Sequence, residues 1–356
     1  MRKASVISLL LAGTLLSLAG CQKGDGVRYG EAVRFKATSA FPTTRTAYSG
    51  KVTDGIERID WIPGESILIW SDNAADRNDV DNNVASPAKH AVYQIQDVTE
   101  SGVQSKATLS NAPGENGLVY VKGEDSYKFW GISPVTSGTP VAGQASFEIK
   151  AAQQMAGSAS VEDNVTTLPA DMSNAWLVAA VEGAKEGSTV EIPFYPAFTA
   201  FEFTFEGDKE YEGNINVTKV ELVSDTKLAG NVVATLAPNG ASTYACTPTS
   251  DPAFTFPAET YVSQTQKVVF TMFAMPQKIV GLKLRIYAKI DGEETSFTGT
   301  MKKNGNPIEF DACKKYRIKG VAVPGNLWKI YYKPGIVTAD EWIEAGEAQT
   351  TNLIVE

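Results

Sequence analysis

The sequence predicts an all-β protein made of two antiparallel β-sandwich domains in tandem. Three observations carry that expectation. Apolar and polar residues alternate with period two in segment after segment, the pattern of strands with one buried face. Gly, Pro, Asn and Asp separate these segments at short intervals, and helical patterns are scarce. The chain has 356 residues, which at about 150 residues per domain suggests about two domains.

The chain opens on an address. Arg2 and Lys3 form a basic start, and the apolar run from Ala4 to Gly20 is shorter than the roughly 20 residues of a membrane-spanning helix. Leu18-Ala19-Gly20-Cys21 resembles a bacterial lipobox. Small residues at 19 and 20 suit a peptidase cleft, and the Cys21 thiolate is the nucleophile that accepts a diacylglyceryl group. Residues 1–20 are therefore expected to be a lipoprotein signal peptide, and Cys21 a lipidation site. The competing reading is a plain secretory peptide with a chance cysteine. No other segment is apolar and long enough to span a bilayer.

Strands follow. Val33, Phe35 and Ala37 alternate with Arg34 and Lys36. Short apolar runs at Ile67–Trp70, Leu118–Val121, Lys128–Ile132 and Val268–Met275 read as more deeply buried strands, and Trp176–Val181 as a strand or a short helix. Phe201, Phe203 and Phe205 alternate with Glu202, Thr204 and Glu206. Leu282, Leu284, Ile286, Ala288 and Ile290 alternate with Lys283, Arg285, Tyr287 and Lys289. The Asn- and Asp-rich stretch from Ser71 to Pro87 reads as a long surface loop. The polar, glycine-containing stretch Glu182–Ser188 reads as a linker. It divides the mature chain into domains at 21–184 and 185–356.

Composition removes several functions. A formal net charge of −9 disfavours contact with phosphate backbones, so no nucleic-acid partner is expected. With a single histidine, His90, no site needing two histidines is available. His90, at the edge of a polar loop, reads as a solvated residue that begins a strand. No phosphate loop, dinucleotide fingerprint or nucleophile elbow occurs. Asp72, Asp76, Asp79 and Asp81 cluster as a calcium site would, but lack the EF-hand glycine and closing glutamate, and read as a solvated acidic loop. Six tryptophans (61, 70, 130, 176, 328, 342) would serve a sugar-stacking platform, but several sit in apolar runs where core packing is the simpler use. Once Cys21 is assigned to lipid, Cys246 and Cys313 remain, either as one disulfide or as two small buried thiols, with a slight preference for thiols. Neither cofactor nor metal is expected.

In order along residues 18–320, the motifs resemble the fimbrillin family of Bacteroidetes, the lipoprotein-derived subunits of type V pili. After the lipobox come Val33-Arg-Phe-Lys-Ala37, then Thr44-Arg45-Thr46. Trp61-Ile-Pro-Gly64-Glu65-Ser-Ile67 is similar to the family's W-x-x-G-D-x-I signature. Val190-Glu-Ile-Pro-Phe194-Tyr195 stands where the family has a strand ending in F-x-H. Met275-Pro-Gln277 matches a P-Q turn, and Ala312-Cys-Lys-Lys-Tyr316 a G-K-x-Y block. Tyr195, Glu65 and Cys313 depart from the usual histidine, aspartate and glycine. The tail from Leu327 onward is not matched.

The resemblance implies two transthyretin-like sandwich domains and no catalysis. It implies export to the outer membrane as a lipoprotein, and then cleavage by a trypsin-like, arginine-specific protease, here between Arg45 and Thr46, with Arg34, Arg58 and several lysines as the alternative sites. Cleavage would release a displaced strand carrying Val33, Phe35 and Ala37. The vacated groove would accept a strand from another pilus subunit, and Leu353 and Val355 in the tail offer a donor strand. The final location would be the fimbrium at the cell surface, with a host or bacterial surface ligand. The alternative function is a surface lipoprotein that binds glycans through exposed tryptophans. A glycoside hydrolase with an unrecognised carboxylate pair is the third reading.

Overall fold

The computed structural model describes residues 27–39, 48–53, 56–59, 61–101, 104–209, 211–303, 306–323, 333–340 and 349–355. Nearly every element is a strand. Seven of them, β1 (Arg34–Ser39), β2 (Ser66–Ser71), β3 (His90–Ser101), β4 (Gln104–Asn111), β5 (Tyr127–Ser133), β6 (Leu177–Ala184) and β7 (Thr189–Pro196), close into a barrel. Its order is β5-β6-β7-β1-β4-β3-β2, with β2 pairing back to β5. The expected two-sheet sandwich is thus joined into one continuous ladder. The β7–β1 pair is parallel, and every other barrel pair is antiparallel. Phe35, Ile67, Ile69, Tyr93, Ile95, Phe129, Ile192 and Phe194 fill the interior. A three-stranded sheet (Gln144–Ile149, Ala229–Thr235, Thr243–Ser250) adds Phe147, Ile149 and Val232 to the same core.

A second core forms under a fourteen-stranded sheet. Its main strands are β8 (Thr199–Gly207), β9 (Ile215–Val223), β10 (Lys267–Ala274), β11 (Lys283–Ile290), β12 (Glu293–Lys303), β13 (Lys315–Val323), β14 (Lys333–Asp340) and β15 (Gln349–Val355), in the order β9-β11-β12-β15-β14-β13-β8-β10. Alternation read from the sequence holds here in detail. Phe201, Phe203 and Phe205 are wholly buried, and Leu284, Ile286 and Ala288 nearly so. The phenylalanines join Phe254, Phe256, Phe270, Phe310 and Tyr316 in a chain of ring contacts with centroids 4.8–6.3 Å apart.

Two expectations change. The polar stretch 182–188 lies at the turn of the β6–β7 hairpin inside the barrel, because Leu177–Ala179 pair with Pro196–Phe194. The boundary at 184/185 therefore cuts one closed ladder. Along β8 the chain passes from the first core at Ala200 to the second at Phe201, but Val232 and Phe273 return to the first and Leu168 already packs in the second, so no single cut in the sequence separates the two cores. The stretch 71–87 is not loop throughout. It holds a buried strand, Ala74–Asp76, and a five-residue helix, Arg77–Asp81, capped by Asp76 accepting from the Asp79 amide. Trp176–Val181 resolves as strand: β6 begins at Leu177.

Candidate functional site

Strand β1 is the one element of the barrel that the sequence singles out. Its outward residues, Arg34 and Lys36, are exposed, while Phe35, Ala37 and Ser39 are buried, as is Val33 just before it. The strand is held on both sides. Arg34–Ser39 pair parallel with Thr189–Phe194, and Lys36–Thr38 pair antiparallel with Thr108–Lys106. Upstream, the Val33 amide donates to the Leu118 carbonyl at 2.8 Å, and Tyr29 and Ala32 pair with Val121 and Val119. Removing this segment would leave two ladders unpaired.

Each inward residue has its own seat. The Phe35 ring sits edge-on between Tyr93 and Phe129, with centroids 5.1 and 5.0 Å away. The Tyr93 hydroxyl accepts from the Leu118 amide at 2.8 Å, and burial pushes its phenol well above the ordinary range. Burial likewise pushes Tyr120, beside Tyr127, up to about 12. The aromatic wall is therefore uncharged at every physiological pH. Ala37 is wholly buried and in register with Ala107 on one side and Ile192 on the other. Elsewhere in the barrel, space is short at Gly131. A methyl added to Gly131 on β5 would lie 2.7 Å from Phe194 Cζ and 3.3 Å from Ile192 Cδ1.

Ser39 is wholly buried and polar. Its hydroxyl donates to the Ser105 carbonyl at 3.1 Å and accepts from the Ser105 amide at 2.9 Å. Trp61 lies close by: its amide is 3.4 Å from the Ser105 hydroxyl, and its ring meets Phe194 edge-on at 5.5 Å. The Trp61 of the W-x-x-G motif thus packs where β1 ends.

Cys21, Arg45 and Thr46 lie outside the described residues. Chain description stops at Ser39 and resumes at Tyr48, so the expected processing site falls in the connection that follows β1. Leu353 and Val355 lie on β15, 3 and 1 positions from Glu356 in sequence, in register with Met301 and Gly299 of β12. On its other side β15 pairs with β14, Leu353 opposite Lys333. The structure therefore seats this segment in the chain's own C-terminal sheet, away from the barrel ladder.

The other candidates resolve into structural uses. Trp61, Trp70 and Trp130 are buried, and Trp176 is half-buried with its indole N–H donating to the Glu148 carbonyl at 2.8 Å and its ring stacked on Phe147. Among the described residues no tryptophan forms an open sugar platform. In the acidic stretch, Asp79 accepts from the Ala88 amide at 2.7 Å and Asp81 pairs with Arg77 at 2.9 Å. No cluster of three metal-ligating residues occurs among the described residues. His90 starts β3 opposite Trp70. Cys246 and Cys313 form no disulfide. Burial pushes their thiols up to about 11 and about 12. Among the described residues no helix is long and apolar enough to cross a membrane.

Sequence reasoning missed one constellation. Lys315, with its side chain 1% exposed, sits 2.6 Å from Glu202 Oε2, and Arg317 Nε sits 3.1 Å from Glu202 Oε1. Burial alone would raise the Glu202 pKa, but the two cations outweigh it and hold the carboxyl below its usual range. The pairing of β8 with β13 creates the triad, and only the alternation of Glu202 within the Phe201–Phe205 run hinted at it.

No family model matches the chain, and no curated protein does. Solved structures do. The chain is similar to a candidate cell adhesion protein from Bacteroides uniformis, with a TM-score of 0.50 at 12% identity over 87% of this chain and 98% of that one. A candidate cell adhesion protein from Bacteroides ovatus gives 0.47 at 14% identity over 90% and 98%. The tip fimbrial protein of Porphyromonas gingivalis, truncated at its C-terminus, gives 0.39 at 10% identity over 91% and 100%. The chain shares the fold of the Bacteroides uniformis protein. At these identities the likeness concerns the fold alone.

Proposed function

We propose that the chain is a structural and adhesive, non-catalytic subunit of a type V pilus, exported as a lipoprotein through Cys21 and polymerised by strand exchange. One observation carries the reading. β1 is a short buried strand between two ladders, with nothing but the connection through Arg45 tying its C-terminal end to the rest of the barrel in sequence. Cutting that connection after Arg45 would free the segment and open the barrel between β4 and β7. The exposed groove would offer two sets of main-chain donors and acceptors and a row of alternate seats, the features that strand addition uses. An open ladder is also a strong template for pairing, which favours polymerisation over a stable monomer. The tail residues Leu353 and Val355 would serve as a donor to a neighbouring subunit.

Limited trypsin digestion of the mature protein tests this, read by intact mass, N-terminal sequencing and gel ladders. One cut after Arg45 followed by a ladder of oligomers is the expected result. A protein that is cut there and stays monomeric, with β1 still bound, would overturn strand exchange while leaving a surface adhesin.

A further inference from the structure

Resting on the strand-exchange reading, we propose that the groove under β1 selects a particular kind of strand. Its inward residues, two apart, must be bulky aromatic, then Ala or Gly, then Ser or Thr. This chain's own C-terminal segment does not meet that rule, so its neighbour in a polymer is a different subunit.

The three seats differ in size and chemistry. The first is an aromatic cup: Tyr93 and Phe129 face Phe35 at 5.1 and 5.0 Å, at angles of 75° and 84°. An aliphatic residue would forfeit both edge-to-face contacts and part of the buried surface. The second seat holds a wholly buried Ala37. It lies in register with Ala107 on β4 and Ile192 on β7, inside the barrel's apolar core. A close-packed interior resists added methylenes, so a larger side chain in this seat must displace its neighbours. The third seat is polar. Ser39 satisfies both the amide and the carbonyl of Ser105, which is itself wholly buried. An apolar residue would leave these backbone groups without that partner, and buried polar groups without partners are costly.

Outward positions carry no such rule, because Arg34 and Lys36 are exposed. Direction is set by the ladder: the occupant runs parallel to β7 and antiparallel to β4. The tail fails in every register, because Gln349–Val355 holds no aromatic residue for the cup. With Leu353 in the aromatic cup, Val355 falls in the alanine seat and overfills it. With Leu353 in the preceding seat of Val33, Val355 falls in the cup and underfills it.

The test uses the full mature protein, digested with trypsin in the presence of labelled peptide in about fivefold molar excess, so that the groove is never empty. The parent peptide is residues 32–40 with the outward Arg34→Gln and Lys36→Gln replacements, AVQFQATSA, so that trypsin has no site in it. Its Phe35→Leu, Ala37→Leu and Ser39→Val forms and the tail peptide AQTTNLIVE, residues 348–356, are the comparisons. Retained peptide is read by native mass spectrometry, and affinity by anisotropy competition. The parent should bind, each substitution should weaken it by at least about tenfold, equivalent to about 1.4 kcal/mol, and the tail peptide should bind more weakly still. A tail peptide or an Ala37→Leu peptide binding as tightly as the parent overturns the selection rule and leaves strand exchange standing. If intact mass shows that β1 never leaves even with peptide in excess, strand exchange itself fails, and the rule with it.

Discussion

Glu202 is the residue on which the second core's chemistry turns. Its carboxylate answers two cations, one of them almost fully buried. Replacing a buried ion pair whole by apolar groups costs little, but removing one partner is strongly destabilising. Glu202→Gln takes away the carboxylate 2.6 Å from the buried Lys315 ammonium and is expected to destabilise the protein by about 3 kcal/mol in urea titrations at pH 7. The pH dependence has a definite sign. The folded-state pKa lies below the ordinary 4.5, so the stabilisation is complete above that value and is lost as pH falls through the folded one. The wild type should lose stability steeply below about pH 4.5, and Glu202→Gln should show a flatter acid limb. Equal slopes for the two would assign the acid sensitivity elsewhere.

Cys246 and Cys313 make a second case at this scale. Thiols with pKa values of about 11 and about 12 hold little thiolate at pH 8. A thiol reagent should titrate almost nothing in the native protein and two groups per chain in urea, in a Cys21→Ser background. No titration in urea would mean that the pair is oxidised. Gly131 is a third. Gly131→Ala brings a methyl to 2.7 Å from Phe194 Cζ, and overpacking of this kind costs about 1–3 kcal/mol.

At the scale of the element, β1 shows what periodicity reports and what it omits. Val33-Arg-Phe-Lys-Ala37 announced an inward and an outward face before any coordinates, and the burial follows it residue by residue. The neighbours were not legible. Nothing local in the sequence says that this strand runs parallel to a segment about 155 residues away, because a two-residue period fixes a face and not a partner. The same limit explains the misplaced boundary. A polar, glycine-containing stretch signals a turn, and only the pairing on either side shows whether it ends a hairpin or a domain. The Asp-rich segment misled for a different reason. Its carboxylates cap a short helix and bind loop amides, uses that share a composition with solvated loop. For β1 itself, Phe35→Ala should cost about 3–5 kcal/mol in the intact chain. It should also speed release of the segment after digestion, as judged by intact mass over time. Unchanged release would mean that the ladders, and not the ring, retain the strand.

At the scale of the whole molecule, the two cores are laced together. β10 sends Val268, Phe270 and Met272 into the second core and Phe273 into the first. Gln153, from the first half, bonds the backbone of Phe273 in both directions, at 2.8 and 2.9 Å. Ala152–Gln154 and Val165–Thr167 add parallel strands to the second sheet, against Ala253–Thr255 and Lys267–Val269. Neither half keeps its core if the other melts. Calorimetry should therefore record one cooperative transition, with the heat of the whole chain, where tandem domains of independent stability would give two. Phe273→Ala should lower that single transition without splitting it.

The two-sided grip on β1 has a mechanical meaning. A tug along the axis of a strand with a ladder on each edge strains all of its hydrogen bonds together, whereas a sideways pull peels them one after another. The Ser39–Ser105 clasp sits at the strand's C-terminal end, where peeling from that side would have to begin. A filament joined through such a groove would hold against drag along its length far longer than its equilibrium affinity suggests, since rupture under force follows the unbinding barrier rather than the binding constant.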